Sequence, residues 1–224
     1  MDWRKMKEGK YPTVLLATPA LDFKLDVEHV QSVIAVLAQS AGGVQPYWLC
    51  GNSNIAEGRN RIAHFFLRHT PCDWLVALDS DIVFSLTDWG HLAEGDEDIV
   101  IGPYAKKVLG QPPVDFGLGF TRIHRRVFQR LADWMTEGEA DNGGGEESLH
   151  RFMLDGELAV DYYYTGASSD CRWFGEDSGF YHWCAMNNIS MRQEKRTRLG
   201  HVGRFVYRYP DQIPGWAPVD DAGQ

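Results

Sequence analysis

The first hundred residues alternate between two hydrophobic patterns. Short unbroken apolar runs stand at 14–17 (Val-Leu-Leu-Ala), 74–78 (Trp-Leu-Val-Ala-Leu) and 99–101 (Ile-Val-Ile), and 44–49 reads as a further strand. Apolar runs of this length, without polar alternation, read as strands covered on both faces, the habit of parallel sheets. Between them, apolar residues recur at helical spacing. Val27, Val30, Val33, Ile34 and Leu37 mark a helix over 26–39, capped by Asp26 and ended by Gly42-Gly43. Ile55, Ile62, Ala63, Phe65 and Phe66 mark a second helix over 55–69, and a short third lies around 86–92. Thr18-Pro19-Ala20 breaks the first strand, because proline cannot continue a central one. The repeated strand–helix–strand order predicts an α/β fold, a mostly parallel central sheet flanked by helices and joined by right-handed crossovers.

The second half loses this regularity. Residues 114–123 carry Phe116-Gly117-Leu118-Gly119-Phe120, a glycine-spaced strand or bend where ligand or backbone comes close. An amphipathic helix over 125–134 turns Val127, Phe128 and Leu131 inward, and the Gly- and acid-rich stretch 137–147 reads as a loop. Residues 161–174 are dense in Tyr, Ser and Trp with little periodicity. A helix over 179–188 and a short strand over 189–191 follow, and the proline-containing tail beyond 209 is irregular.

Composition acts mainly by exclusion. A chain of 224 residues suffices for one good core or two small lobes. The formal net charge of −9 argues against a broad nucleic-acid-binding surface, although Arg122, His124, Arg125, Arg126 and Arg130 form a local basic cluster. That cluster reads either as a solvated helix face or as a contact for an anionic partner. No apolar run approaches membrane-spanning length, and residues 1–10 lack the apolar core of a secretory signal. Cys50, Cys72, Cys171 and Cys184 form no Cys-x-x-Cys pair. Reduced thiols in a cytoplasmic protein, without a zinc site, are the expectation.

The candidate chemistry begins where the 74–78 strand stops, at Asp79-Ser80-Asp81. Carboxylates at the end of a buried strand are costly unless paired. Mg²⁺ or Mn²⁺, which favour oxygen ligands and bridge to substrate phosphates, would pair with them. The carboxyl edge of an open α/β sheet is also the usual ligand edge. A polar turn that merely caps the strand is the plain alternative. Arg59 and Asn60 precede this strand on the second helix, either on a solvated face or toward the same cleft. Glu176-Asp177 stands at a helix start, where acids are favoured by the helix dipole alone, and His201 sits between Gly200 and Val202-Gly203.

Taken in order, these stretches resemble the GT-A fold glycosyltransferases that use nucleotide sugars, in the compact, DxD-containing form carried by bacteria and their viruses. The resemblance rests on the Thr18-Pro19 stretch, Arg59-Asn60-Arg61, Asp79-Ser80-Asp81 and Gly102-Pro103-Tyr104-Ala105-Lys106-Lys107, then on Gly117-x-Gly119-Phe120, Gly175-Glu176-Asp177 and Leu199-Gly200-His201-Val202-Gly203. It covers residues 11–205. It implies one catalytic domain over the whole chain, with 11–107 as the nucleotide-binding half, 108–205 as the acceptor side and 206–224 as a tail.

The resemblance also implies roles. Thr18 and Pro19 would approach the nucleotide base. Arg59, Asn60, Tyr104 and Lys106 would line the donor site. Asp79 would contact the ribose or the metal, and Asp81 and His201 would hold Mn²⁺ or Mg²⁺. Asp177, or failing it Glu176, would serve as general base for the acceptor hydroxyl; in a retaining enzyme neither need do so. The donor would be a UDP- or GDP-linked sugar and the acceptor a glycan, a protein or a modified DNA base. The chain is short for this family, so the acceptor region is expected to be small. A nucleotidyltransferase and a non-catalytic nucleotide-sugar-binding module are the competing readings. The first would carry a Gly-rich basic loop where Thr18-Pro19-Ala20-Leu21 stands, and the second has no need of Asp79, Asp81, Asp177 and His201 together.

Overall fold

A computed structural model describes residues 13–20, 23–107, 113–141, 151–167, 173–203 and 206–207. Its core is a six-stranded sheet. Strand β1 (Val14–Ala20) pairs in parallel with β2 (Val44–Cys50) and β3 (Trp74–Leu78). Beyond a short β4 (Ile82–Val83) come β5 (Ile99–Ile101) and β6 (Phe120–His124). Helices α1 (Val27–Gln39), α2 (Ile55–His69), α3 (Leu86–Ala93) and α4 (Arg125–Asp141) intervene or follow. Two small hairpins are next, β7 (Arg151–Leu154) with β8 (Glu157–Val160) and β9 (Gly166–Ala167) with β10 (Trp173–Phe174). Helix α5 (Glu176–Met186), β11 (Met191–Gln193), β12 (Gly200–Val202) and β13 (Val206–Tyr207) complete the described elements.

The sheet order is β11-β5-β6-β3-β1-β2. Its pairings are parallel except at β6, which runs antiparallel to both β3 and β5. The expected mostly parallel α/β architecture is therefore what the chain adopts. β6 lies between β5 and β3 and runs against both, as antiparallel neighbours can without a crossover helix. β6 and β11, from the second half of the chain, complete a sheet begun by the first half.

Both faces of the inner strands are covered, and β3 and β5 are accordingly unbroken apolar runs. Leu15, Ala17, Leu75, Ile99 and Ile101 point into a core with α2, α4 and α5 residues such as Phe66, Phe128 and Phe180. Val14, Leu16, Trp74, Val76, Leu78 and Val100 alternate into a second core with Val33 and Val36 of α1 and Trp89 and Leu92 of α3. Burying each such side chain contributes roughly 1.5–3 kcal/mol.

Three expectations need correcting. Thr18, Pro19 and Ala20 do not leave the strand. β1 stays paired with β2 through Ala20, while its pairing with β3 ends at Ala17. Past that point β1 is paired on one side only, where proline is tolerated. On α1, Val27 and Ile34 are exposed while His29 and Ser32 are buried, and Asp26 precedes the helix without a side-chain capping bond. The last helix begins at Glu176 rather than 179.

The basic cluster is divided, with Arg122 and Arg125 tied into the fold and Arg126 and Arg130 on an exposed helix face. Arg122 is buried beneath α3, donates to the carbonyls of Ala93 (2.6 Å) and Gly95 (3.0 Å), and lies over the Trp74 ring. Arg125 donates to the carbonyls of Phe66 (2.7 Å), Leu67 (3.0 Å), Thr70 (2.8 Å) and Cys72 (2.7 Å). Those carbonyls lie at the unpaired C-terminal end of α2, so one guanidinium closes the helix and ties it to α4. Arg126 is exposed and pairs with Asp98, and Arg130 is exposed on the same helix. Helix α4 runs on to Asp141, through the first part of the loop expected at 137–147. Cys50, Cys72 and Cys184 are free thiols; Cys171 lies outside the described residues, as do 142–147 of that expected loop and the tail beyond 209.

Because several α2 carbonyls depend on Arg125, Arg125→Met should destabilise the fold by roughly 2–4 kcal/mol, with Arg125→Lys recovering only part. Urea unfolding followed by circular dichroism checks this, and a midpoint equal to wild type would remove Arg125 as the α2–α4 tie.

Candidate active site

The site forms along the carboxyl edge of the sheet, around the turn after β3. Asp79 and Asp81 leave this turn toward different neighbours. Asp79 Oδ1 accepts from Arg59 Nη2 at 3.0 Å, and a Cβ added at Gly119 would stand 2.8 Å from Asp79 Oδ2. Glycine at 119 therefore lets β6 pass beside the carboxylate. Gly117 does the same for the Tyr104 ring, into which a Cβ there would run. The close approach expected at these glycines is by the protein's own Asp79 and Tyr104.

Arg59 is 4% exposed and faces three carboxylates, Asp79 at 3.0 Å, Asp177 at 3.7 Å and Glu176 at 3.9 Å. Burial works against its charge, but Asp79, then Asp177 and Glu176, hold its pKa above the ordinary arginine value. Among the described residues its Nε and Nη1 have no hydrogen-bond partner, and neither does Asp177 Oδ1. Gly175 caps α5, so Glu176 and Asp177 occupy its first turn. Asp177 Oδ2 accepts from the Leu118 amide at 3.4 Å. Burial pushes its carboxyl up to about 6; Arg59 opposes the shift, and the charges of Glu176 and Asp79 add to it.

On the other side of the turn, Asp81 pairs with Lys107 and lies 3.4 Å from His201 Nε2. Burial disfavours its charge, yet His201 and Lys107 keep it below the ordinary carboxylate range. A small sheet brings the histidine here. β12 runs antiparallel to β4, with His201 opposite Ile82, and the Val202 amide donates to the Asp81 carbonyl at 2.7 Å. The route from β11 to β12 is braced by Glu194, 2% exposed, which Arg196 and Arg192 hold at about 2. The Arg198 amide also donates to Asp88 of α3.

His201 Nδ1 lies 2.9 Å from the Ala105 carbonyl. A carbonyl only accepts, so this nitrogen carries a proton, and Nε2 is the ring nitrogen that faces Asp81. That is how metal-binding histidines are usually oriented. Among the described residues no group of three or more His, Cys, Asp or Glu side chains could hold a metal. The donor set Asp81 and His201 suits a divalent cation whose other ligands come from substrate phosphate and water. An open cleft of about 370 Å³ adjoins this pair, lined by Lys24, Asp26, Ser80, Asp81, Lys107 and Gly203 among others. A second hollow of about 290 Å³ lies at the end of β2, beside Cys50, Asn52, Glu57 and Arg61.

The remaining expected site residues fall elsewhere. Thr18, 1% exposed, and Pro19 are covered inside β1. Asn60 is buried, donates to Asp161 at 2.5 Å and accepts from the amides of Tyr162 and Tyr163. It anchors the loop at 161–163. Tyr104 is buried, with its ring edge-on to His201 at 5.3 Å. Lys106 is exposed, and its neighbour Lys107 is the lysine that reaches Asp81. Sequence reasoning left Lys107 behind Lys106 because adjacent lysines give no signal of which one turns inward.

No family model matches the chain, and no curated protein resembles it in sequence. Among solved structures it is similar to A197 from STIV, with a TM-score of 0.51 and 15% identity over 85% of each chain. That likeness concerns the fold. Looser similarities are to a glycosyltransferase involved in the glycosylation of the major capsid of PBCV-1 and to glucosyl-3-phosphoglycerate synthase from Mycobacterium tuberculosis. The first has a TM-score of 0.35 and 13% identity over 59% of this chain and 68% of that one. The second has 0.39 and 16%, over 86% and 73%. Among the described residues no helix is long and apolar enough to cross a membrane.

The buried Asp177 carries a signed consequence for stability. Its folded pKa is raised to about 6 from an ordinary 3.8, so the folded state holds the proton more tightly than the unfolded chain. Its contribution is fully favourable below the unfolded value and is lost as pH rises through 6. Asp177→Asn should therefore melt at or above the wild-type temperature at pH 8 and lose that advantage toward pH 4. Melts across this range check it, and a variant destabilised most at pH 8 would contradict the burial of a reluctant carboxylate.

Proposed function

We propose that the chain is a metal-dependent glycosyltransferase, moving a sugar from a nucleoside-diphosphate donor to an acceptor hydroxyl. The supporting observation is the division of the turn after β3. Asp81 with His201 and Lys107 forms a site for a cation and a phosphate. Asp79 with Arg59, Glu176 and Asp177 forms a partly dry site for proton transfer. The two adjoin at one sheet edge, as a reaction between a diphosphate leaving group and a hydroxyl nucleophile requires.

In this reading the acceptor hydroxyl gives its proton to Asp177 as its oxygen bonds to the anomeric carbon. The bond from that carbon to the diphosphate breaks, and its electron pair leaves with the phosphate. Asp81 and His201 would hold Mn²⁺ or Mg²⁺, which when bound would supply countercharge to that phosphate. Lys107, already on Asp81, turns its ammonium to the same oxygens. Asp177, near pKa 6, is mostly ionised at neutral pH yet more basic than an exposed aspartate. Arg59 has almost no exposed surface, so it acts through the carboxylates it holds. Asp79 sides with Arg59, and its contact with a donor is to the ribose. A base of this kind belongs to an inverting transfer.

Arg122 and Arg125, two of the arginines expected to leave a DNA acceptor open, are bound within the fold, and a glycan or protein hydroxyl is the favoured acceptor. The nucleotidyltransferase alternative gains nothing, because the end of β1 carries no phosphate-cradling loop among its described residues.

A panel of UDP- and GDP-linked sugars, with Mn²⁺ and then with chelator, tests the proposal by thermal shift and by release of the nucleoside diphosphate. At least one donor should stabilise the protein and be slowly hydrolysed only with metal. Failure of every donor would sink the proposal, and equal activity under chelator would transfer the cation's role to Lys107. With an accepted donor, Asp177→Asn should bind normally and turn over on the order of 10²–10⁴-fold more slowly, with Glu176→Gln the milder change. Wild-type turnover of Asp177→Asn would end its role as base.

A further inference from the structure

The turn that carries Asp79 and Asp81 is short, polar and next to the sheet edge, and its backbone needs partners. Three come from α1 and the residue before it. His29 Nδ1 lies 3.1 Å from the Ile82 carbonyl, and the Phe84 amide donates to Ser32 Oγ at 3.1 Å. The Asp26 amide reaches the Ser80 carbonyl at 3.5 Å. His29 and Ser32 stand one turn apart on the buried face of the helix, 0% and 7% exposed.

These are unexpected residues for that face. Val33 and Val36 beside them fill the core as periodicity predicts, and an aliphatic residue at 29 would bury equally well. Instead the imidazole is fully enclosed, and its Nε2 has no hydrogen-bond partner among the described residues. A buried polar atom without a partner is a standing cost. The gain is a donor aimed at the Ile82 carbonyl and, through Ser32, an acceptor for the Phe84 amide. The Ser32 hydroxyl in turn donates to the Glu28 carbonyl at 3.0 Å, which fixes its lone pair toward Phe84. Burial lowers the pKa of His29, consistent with a neutral ring protonated at Nδ1.

We propose that His29 and Ser32 are positioning residues for Asp81, holding the β4 segment so that the carboxylate faces His201. The chain of contact is short. Ile82, held by His29, follows Asp81 and lies opposite His201 in the β4–β12 ladder. Phe84, held by Ser32, fixes the far end of the same segment, and its ring packs on Phe120 at 5.0 Å. A shift of β4 along α1 would separate Asp81 Oδ1 from His201 Nε2, now 3.4 Å apart. The proposal rests on the reading of Asp81 and His201 as a cation site.

Mn²⁺ alone, titrated into the full chain and followed by the paramagnetic resonance of the free ion, tests it. Ser32→Ala and His29→Leu should each weaken Mn²⁺ binding roughly tenfold or more, as when a group orienting a metal ligand is removed. Ser32→Thr and His29→Asn, which keep the hydroxyl and the ring-nitrogen donor position, should recover most of it. Val36→Ala, one turn further along α1, should lower the melting temperature and leave Mn²⁺ affinity unchanged. Amide exchange at Val202, which donates to the Asp81 carbonyl, supplies a readout without metal. It should quicken in Ser32→Ala and His29→Leu and stay at the wild-type rate in Val36→Ala. Unchanged affinity and unchanged exchange in both variants would overturn the proposal. A wild-type protein that binds no Mn²⁺ would overturn the cation site instead, and Val202 exchange would still decide whether α1 sets the turn.

Discussion

A single guanidinium, almost without exposed surface, balances three carboxylates from two other elements. Arg59 comes from α2, Asp79 from the end of β3, and Glu176 and Asp177 from the first turn of α5. A buried arginine without counter-charge would be prohibitive, and each carboxylate here would be costly without the arginine. The sheet can therefore end in charge at this edge only if α2, β3 and α5 stay together. The geometry leaves Asp177 least satisfied, with one oxygen facing only the distant end of Arg59. A carboxylate short of partners in a partly dry place is one that takes a proton readily.

The other half of the edge is built by different means. Asp81 faces away from Arg59, and its environment comes from β4, β12 and the lysine at 107. Separate supports let one sheet edge present two carboxylates, Asp177 and Asp81, with opposite demands. Burial raises Asp177 to about 6, whereas His201 and Lys107 keep Asp81 ionised against its own burial. Pairs of acids driven apart in this way are a common sign of divided chemical roles.

Much of the architecture was legible because both faces of the inner strands are covered, and β3 and β5 are accordingly apolar without interruption. The turn at 79–81 stood out for the same reason, as charge following such a run. What escaped sequence reading came from contacts between distant residues. Asn60 looks like part of a polar helix start, but its partners are about a hundred positions away, at 161–163. Arg122 and Arg125 look like a basic surface, yet carbonyls of α2 and of the α3 region enclose them. His29 and Ser32 break the apolar period of α1 because their partners lie on β4 and at its end. Proline at 19 was read as a strand end by a rule that holds in sheet centres, while β1 is an edge at that point.

The central claim is that Asp177 is a buried, reluctant carboxylate poised to accept a proton. Its ionisation can be read directly by ¹³C labelling of aspartate and titration of the side-chain carboxyl resonance, with Asp177→Asn to assign the signal. The account predicts a midpoint near the value of about 6 that burial imposes. A midpoint at the ordinary aspartate value of 3.8 would show a carboxylate satisfied by Arg59 and solvent, and would contradict it.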